Sequence, residues 1–272
     1  MQHFTADSLI LRSIERGEHD RLITVLTADF GKFYAIVKGA GSIHRREVAA
    51  TEPYTWSNVE YYEKNGVKWV KSAASRESFA GIRYDMDKLF LAAYIAEVAG
   101  ELSDEREPAG EILPLALNTL HVLAHTDGEN DRIKAAFELR AACVAGFTPE
   151  LTYCHDCHSP ASTDGYLDVM NGSFVCAKCL SKRTALTPLP EIGELGERTL
   201  LCPLSAGSAA ALAFVASAPA KRIFAFRITD ARERAEFARA AEAYLLHHLE
   251  RSFASLENYK KLEALTPKKE GI

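Results

Sequence analysis

Apolar and polar positions alternate with a period of two through roughly the first 80 residues, and with a period near 3.6 after about Tyr84. Leu9-Ile10-Leu11 begins a first strand, and Gly17-Glu18 marks a turn. Leu22–Thr27 is a second strand, rich in β-branched residues. Asp29-Phe30-Gly31 is a tight connection, with a glycine available for positive φ. Lys32–Lys38 is a third strand of clean alternation. Pro53–Glu63 and Val67–Ser72 flank Asn65-Gly66, a strong hairpin signal. Five short strands in this span predict a small barrel, with the OB-fold as the leading candidate.

The later period predicts helices. Leu89, Phe90, Ala93, Tyr94, Ala96 and Val98 lie on one that ends near Gly100, and Ile112, Leu115, Ala116, Thr119, Leu120 and Leu123 on a second, with Pro114 tolerated in its first turn. A third runs through Ile133, Ala136, Phe137, Leu139, Arg140 and Cys143 and stops at Gly146. The short apolar runs Leu200–Leu204 and Ala209–Ala216 read as helical. A long helix capped by Thr229 or Asp230 carries Phe237, Ala241, Tyr244, Leu245, His248 and Leu249 on its apolar stripe, where His248 reads as a core histidine. Pro188 and Pro190 mark an exit from the segment between the helices, and the polar tail from Thr266 reads as frayed.

That segment contains Cys154-His155-Asp156-Cys157 and Cys176-Ala177-Lys178-Cys179. Two C-x-x-C pairs about 15–20 residues apart have the spacing of a four-thiolate zinc site, each pair aiming two sulfurs at one point. Free thiols would not cluster as matched pairs, disulfides need an oxidising compartment, and a redox C-x-x-C is normally single. A catalytic zinc needs an open position, which four thiolates do not leave. The pattern therefore predicts one structural Zn²⁺ held by Cys154, Cys157, Cys176 and Cys179. Turn residues at Asn171-Gly172 fit a hairpin of Tyr166–Val169 with Ser173–Val175. His155 and His158 read as exposed loop residues, Lys178, Lys182 and Arg183 as offsets to the thiolate charge, and Cys143 and Cys202 as buried small apolar residues.

Charge refines the picture. The formal net charge is −5, yet residues 1–80 sum to +1, residues 81–220 to −9 and residues 221–272 to +3, so a polyanion-binding face belongs at the ends of the chain. On the third strand, Phe33, Ala35 and Val37 suit the core, which leaves Lys32, Tyr34, Ile36 and Lys38 outward. A face alternating cation and ring suits nucleic acid, with charge for phosphate and a ring for stacking. The loop Gly39–Arg46 adds His44, Arg45 and Arg46. It is no dinucleotide fingerprint, because a third glycine and a following helix pattern are both missing. The candidate DNA-binding residues are therefore Lys32, Tyr34, Lys38, His44, Arg45 and Arg46, with Arg232, Arg234 and Arg239 as a second basic cluster. The N-terminus does not read as a signal peptide, and no stretch approaches the ~18 consecutive apolar residues of a membrane span. No catalytic constellation is legible: the zinc deaminase signature is missing, and Cys143 has no evident His or Asn partner.

The residues also carry a family resemblance. Glu18-His19-Asp20-Arg21, Phe30-Gly31-Lys32, Val37-Lys38-Gly39-Ala40, Ala136-Phe137-Glu138-Leu139-Arg140, Gly146–Leu151, the cysteine pairs and Tyr244–Leu249 occur in the order of the bacterial RecO recombination mediators, which the chain resembles over most of its length. The resemblance implies an α+β multidomain protein and no enzyme: a five-stranded OB-fold barrel over 1–80, and a helical domain over 81–150 and 184–272 with a zinc-ribbon-like four-cysteine module inserted at 151–183. It implies binding to single- and double-stranded DNA, ATP-independent annealing, and cooperation with RecR and single-strand-binding protein in loading RecA. Six cysteines, four of them in a metal pattern, point to a reducing cytoplasm, with the nucleoid as the expected place of action. A groove for the acidic C-terminal tail of single-strand-binding protein is expected in the helical domain, with Arg132, Lys134 and Arg140 as the nearest cations. A zinc-ribbon adaptor acting only through protein contacts is the competing reading.

Overall fold

The computed structural model describes residues 3–39, 46–186 and 200–265. Their contacts gather into two compact units, one built from the chain up to Asn130 together with residues from Phe253 onward, the other from Asp131–Ser252.

The first unit opens with the strands that period-two patterning predicts: β1 (His3–Arg16), β2 (Asp20–Thr27), β3 (Gly31–Val37), β4 (Trp56–Lys64) and β5 (Val67–Glu77). They close a barrel in the order β1-β2-β3-β5-β4. β1 is long enough to serve two partners. Its first half pairs with β4, from His3 opposite Tyr62 to Leu9 opposite Trp56. Its second half pairs with β2 after an irregularity between Ile10 and Arg12, the kind of bulge that bends a strand round a barrel corner. A parallel pairing of β3 with β5 closes the ring. Ile10, Ile23, Val25, Phe33, Ala35, Val37, Val59 and Tyr61 fill the interior, and each large apolar side chain there contributes roughly 1.5–3 kcal/mol. Asn65 and Gly66 turn β4 into β5 with φ of 54° and 74°, the two left-handed residues that a tight hairpin requires.

Phe33, Ala35 and Val37 face the core as alternation predicts, but Ile36 is also buried, at 2% exposure. It points outward and is covered by its ladder neighbours Leu22 and Trp69. The glycine-rich loop leads into a short helix after all, α1 (Arg46–Ala50). α2 (Ala80–Arg83), α3 (Met86–Glu101) and α4 (Ile112–His125) follow. α3 starts where Asp85 accepts from the Lys88 amide at 3.0 Å, and α4 admits Pro114 in its first turn. The segment after α3 lies on the β2–β3 turn: the Lys32 amide donates to the Asp104 carbonyl and the Ala109 amide to Ala28. Gly31 permits this approach, because with φ +61° its Cβ would stand 2.1 Å from the Glu107 carbonyl oxygen. A helix that periodicity did not reveal, α9 (Ala254–Leu265), packs on α3 and buries Leu256 and Tyr259.

The second unit begins with α5 (Asn130–Val144), ended by Gly146 at φ 96°. Four short strands follow, β6 (Glu150–Cys154), β7 (Gly165–Asp168), β8 (Ser173–Cys176) and β9 (Leu201–Leu204), in the sheet order β6-β8-β7-β9. The β7–β8 hairpin is the one predicted from Asn171-Gly172. Leu200–Leu204, expected to be helical, instead supplies the edge strand β9, where Pro203 opposite Tyr166 is tolerated. α6 (Ala177–Leu186), α7 (Ala206–Ser217) and α8 (Ala231–Leu249) complete the unit. Asp230 caps α8 by accepting from the Glu233 amide at 3.0 Å. His248 does sit among packing residues, stacked on Phe147 and donating from Nε2 to the Val169 carbonyl at 2.9 Å. Burial holds its pKa down. Cys202 is buried and Cys143 half-buried. The exit at Pro188 and Pro190 and the tail from Thr266 lie outside the described residues. Among the described residues no helix is long and apolar enough to cross a membrane.

Candidate functional site

The four cysteines converge as their spacing predicts. Cys154 ends β6, Cys157 follows in the turn, Cys176 ends β8, and Cys179 sits in the first turn of α6. All four sulfurs lie within 4.8 Å of one another, and none is in a disulfide. Cys157 and Cys176 are 3.9 Å apart at Sγ, close to the ~3.8 Å edge of a tetrahedron with Zn–S bonds of about 2.3 Å. The first knuckle is closed by the His158 amide donating to the Cys154 carbonyl at 2.9 Å. The Cys176 amide points at Cys154 Sγ from 3.3 Å, as expected of a donor that supports a thiolate. Gly165 lets the hairpin pack tightly, since a Cβ there would meet the Phe174 ring at 2.4 Å.

The charge balance explains why this cluster calls for a cation. The Ser159 side chain and amide hold Cys157 down at about 6, while the neighbouring thiols of Cys157 and Cys176 push Cys179 up to about 12. Four thiolates this close would repel one another, and a zinc dication among them would leave a formal −2. The donor set and its spacing fit Zn²⁺ with no open position. Lys178 and Lys182 are exposed beside it, whereas Arg183 is engaged by Asp156 of the first knuckle. His155 and His158 are exposed loop residues, as predicted.

The second feature is a groove of about 510 Å³ in the barrel unit, lined both by outward residues of β3 and by Phe33 and Tyr61 of the barrel interior. Ile36 and Tyr34 of β3 form part of its lining together with Phe4 and Phe30; Arg16, Lys68 and Arg106 bring positive charge, and Glu63 and Glu105 bring negative charge. Tyr34 and Phe30 are 48% and 41% exposed, a large apolar presence for an outer surface. Phe4 meets Phe30 edge-on at 6.3 Å and stacks on Tyr61 at 5.4 Å. Lys68 lies 5.5 Å over the Phe33 ring. Elsewhere on the barrel three cations are paired with carboxylates: Arg21 with Glu52, Lys71 with Glu60 and Arg76 with Asp7. Arg16, Lys68 and Arg106 enter no ion pair among the described residues.

Of the six residues expected to meet DNA, the groove brings together Lys32 and Tyr34. The Lys32 ammonium is engaged by the Gly100 carbonyl. Lys38 lies outside the lining, with its ammonium 4.5 Å over Trp69. His44 and Arg45 lie outside the described residues, and Arg46 opens α1. Sequence reasoning missed Phe4, Arg16, Phe30, Lys68 and Arg106; the signal for Lys68 was the β3–β5 closure, which places it opposite Ala35. In the basic C-terminal cluster, Arg232 pairs with Glu236 at 2.8 Å and Arg234 donates to the Ile228 and Thr229 carbonyls. On α5, Arg132 donates to the Phe224 carbonyl and Arg140 to Ala216. Lys134 is buried between Glu138 and Glu242 at 2.9 and 2.7 Å, which removes it from any groove rim.

Comparison with known proteins gives the family. Residues 1–79 match the family description "Recombination protein O N terminal", and residues 83–193 match "Recombination protein O C terminal". The chain belongs to the RecO family. The DNA repair protein RecO of Anaeromyxobacter dehalogenans (strain 2CP-C) is 32% identical over 258 residues, 94% of this chain and 95% of that protein. The DNA repair protein RecO of Acetivibrio thermocellus is 26% identical over 265 residues, 97% and 99% of the two chains. The family boundary between residues 79 and 83 falls just past the end of β5.

Proposed function

We propose that this RecO-family chain is a non-enzymatic DNA repair protein that binds DNA through the barrel groove and anneals complementary strands without nucleotide. In this reading it works with RecR and with the C-terminal tail of single-strand-binding protein, and assists RecA onto coated single strands. The observation that carries it is the groove itself, where the exposed rings of Phe30 and Tyr34 stand beside four cations, Arg16, Lys32, Lys68 and Arg106, against two carboxylates, Glu63 and Glu105. Rings offer base stacking at about 1–3 kcal/mol per base, and cations offer phosphate contacts. The relatives named DNA repair protein RecO support the repair role. Zn²⁺ on the four cysteines acts structurally, by holding two knuckles and a hairpin together.

The contact residues in this reading are Tyr34 and Lys32 of the groove, together with Lys38, His44, Arg45 and Arg46. A strand-annealing assay without ATP tests the function. Tyr34→Ala should weaken single-strand binding by roughly 1–3 kcal/mol with little change in salt dependence. Replacing Arg16, Lys68 and Arg106 together should flatten log K against log salt by about two, at ~0.7 per lost phosphate contact. The triple replacement of Lys38, Arg45 and Arg46 measures the loop in the same way. Absence of any gel shift with single- or double-stranded DNA at low salt would move the function to protein contacts alone.

A further inference from the structure

His121 and His125 stand one turn apart on α4, a spacing that puts both rings on one helix face. Their centroids are 4.4 Å apart. The Nδ1 of His125 is 2.7 Å from the His121 carbonyl oxygen. A carbonyl can only accept, so this nitrogen carries a proton, and in the neutral ring Nε2 is left with its lone pair; a backbone partner of this kind is what orients imidazole toward a metal. The third member comes from another element: Glu77, at the end of β5, places Oε1 2.9 Å from Nδ1 of His121. One ligand atom from each of the three residues lies within 4.8 Å of the others.

The elements that carry these groups are held in register. Gly81 in α2, four residues beyond Glu77, sits so near the last turn of α4 that a Cβ there would be 2.1 Å from the Ala124 carbonyl oxygen. The end of β5 and the end of α4 are thus fixed side by side. Both imidazoles are exposed, so an ion reaches them from solvent without rearrangement of a core.

We propose that Glu77, His121 and His125 form a second metal site, distinct in chemistry from the four thiolates. Two neutral imidazoles and one carboxylate suit a divalent first-row transition ion such as Ni²⁺ or Zn²⁺, whereas Mg²⁺ and Ca²⁺ prefer all-oxygen sets. Three protein ligands leave at least one position to water, so the site binds reversibly and clamps β5 to α4 when filled.

The test is calorimetric titration of the full chain, with zinc already in its cysteine site, against Ni²⁺. The wild type should bind one equivalent that is lost in the His121→Ala/His125→Ala variant and weakened at least tenfold in Glu77→Gln. Identical isotherms for the wild type and the double histidine variant overturn the proposal. A second measurement needs no variant: paramagnetic Ni²⁺ should broaden the imidazole proton signals of His121 and His125 before those of His155 and His158. Broadening that starts at His155 or His158 also overturns it.

Discussion

The barrel and the four-cysteine segment are both small β structures, yet they solve the same problem in opposite ways. In the barrel, strands of 7–14 residues close on themselves, leave no unpaired edge, and enclose a continuous apolar interior. In the cysteine segment the strands are four or five residues long, and the parallel β6–β8 pairing is interrupted between Glu150 and Cys154. Its apolar content, chiefly Leu151, Leu167, Val169, Phe174 and Val175, is modest for a free-standing fold. One region is held by its side-chain interior; the other brings four sulfurs to one point, where the proposed Zn²⁺ would turn thiolate repulsion into attraction. The lesson is that stability here is local in origin, so the two regions should respond to different insults.

The largest effect should come from metal removal. Structural zinc contributes on the order of 10–16 kcal/mol to small thiolate modules at neutral pH, so Cys154→Ser or Cys179→Ser should lose zinc by elemental analysis and unfold residues 150–183. Amide exchange in β1–β5 should stay slow in those variants. Equal loss of protection in the barrel would break the contrast.

The next largest effect should lie in α5. Glu138 is fully buried against Lys134, and removing one partner of a buried ion pair typically costs about 3–5 kcal/mol. Glu138→Gln should lower the unfolding free energy by about that amount, read as a lower urea midpoint, while zinc content is unchanged from the wild type. Together with the cysteine variants it separates metal-dependent from metal-independent stability.

Acid should reveal a smaller term. Burial opposes ionisation of Glu236, but the Ser205 amide and the Ser205, Arg232 and Ser208 side chains outweigh it and hold its pKa below 4.5. The carboxylate therefore stabilises the fold above about pH 4.5, and that stabilisation is lost as pH falls through its depressed value. Glu236→Gln should cost about 1.5–3 kcal/mol at pH 7 and remove this part of the acid dependence of Tm. The smallest effect should be Ile23→Val in the barrel interior, about 0.5–1.5 kcal/mol, unchanged by chelator.

Local signals that agree with their surroundings were legible in the sequence. Asn65-Gly66 specifies its hairpin through left-handed backbone, and the cysteine spacing specifies a point where four sulfurs meet. Leu200–Leu204 was misread because a short apolar run has no period that separates buried strand from helix; pairing with β7 decides it. Ile36 follows alternation in direction but not in exposure, since cover by Leu22 and Trp69 is a property of barrel closure. The groove is legible only in part for the same reason: Tyr34 and Lys32 belong to one strand, whereas Phe4, Lys68 and Arg106 come from three separate parts of the chain. α9 was hidden because its buried face is narrow, little more than Leu256 and Tyr259.

That last helix has a consequence for the newborn chain. The Ser255 amide caps its contact with α3 by donating to Glu97, 158 residues earlier, and Phe253 meets Tyr94 edge-on. At about 5–20 residues per second of synthesis, the side of α3 bearing Tyr94 waits roughly 8–30 s for its cover. During that interval the face of α3 that bears Tyr94 lacks the cover that Phe253 and α9 give it in the finished fold.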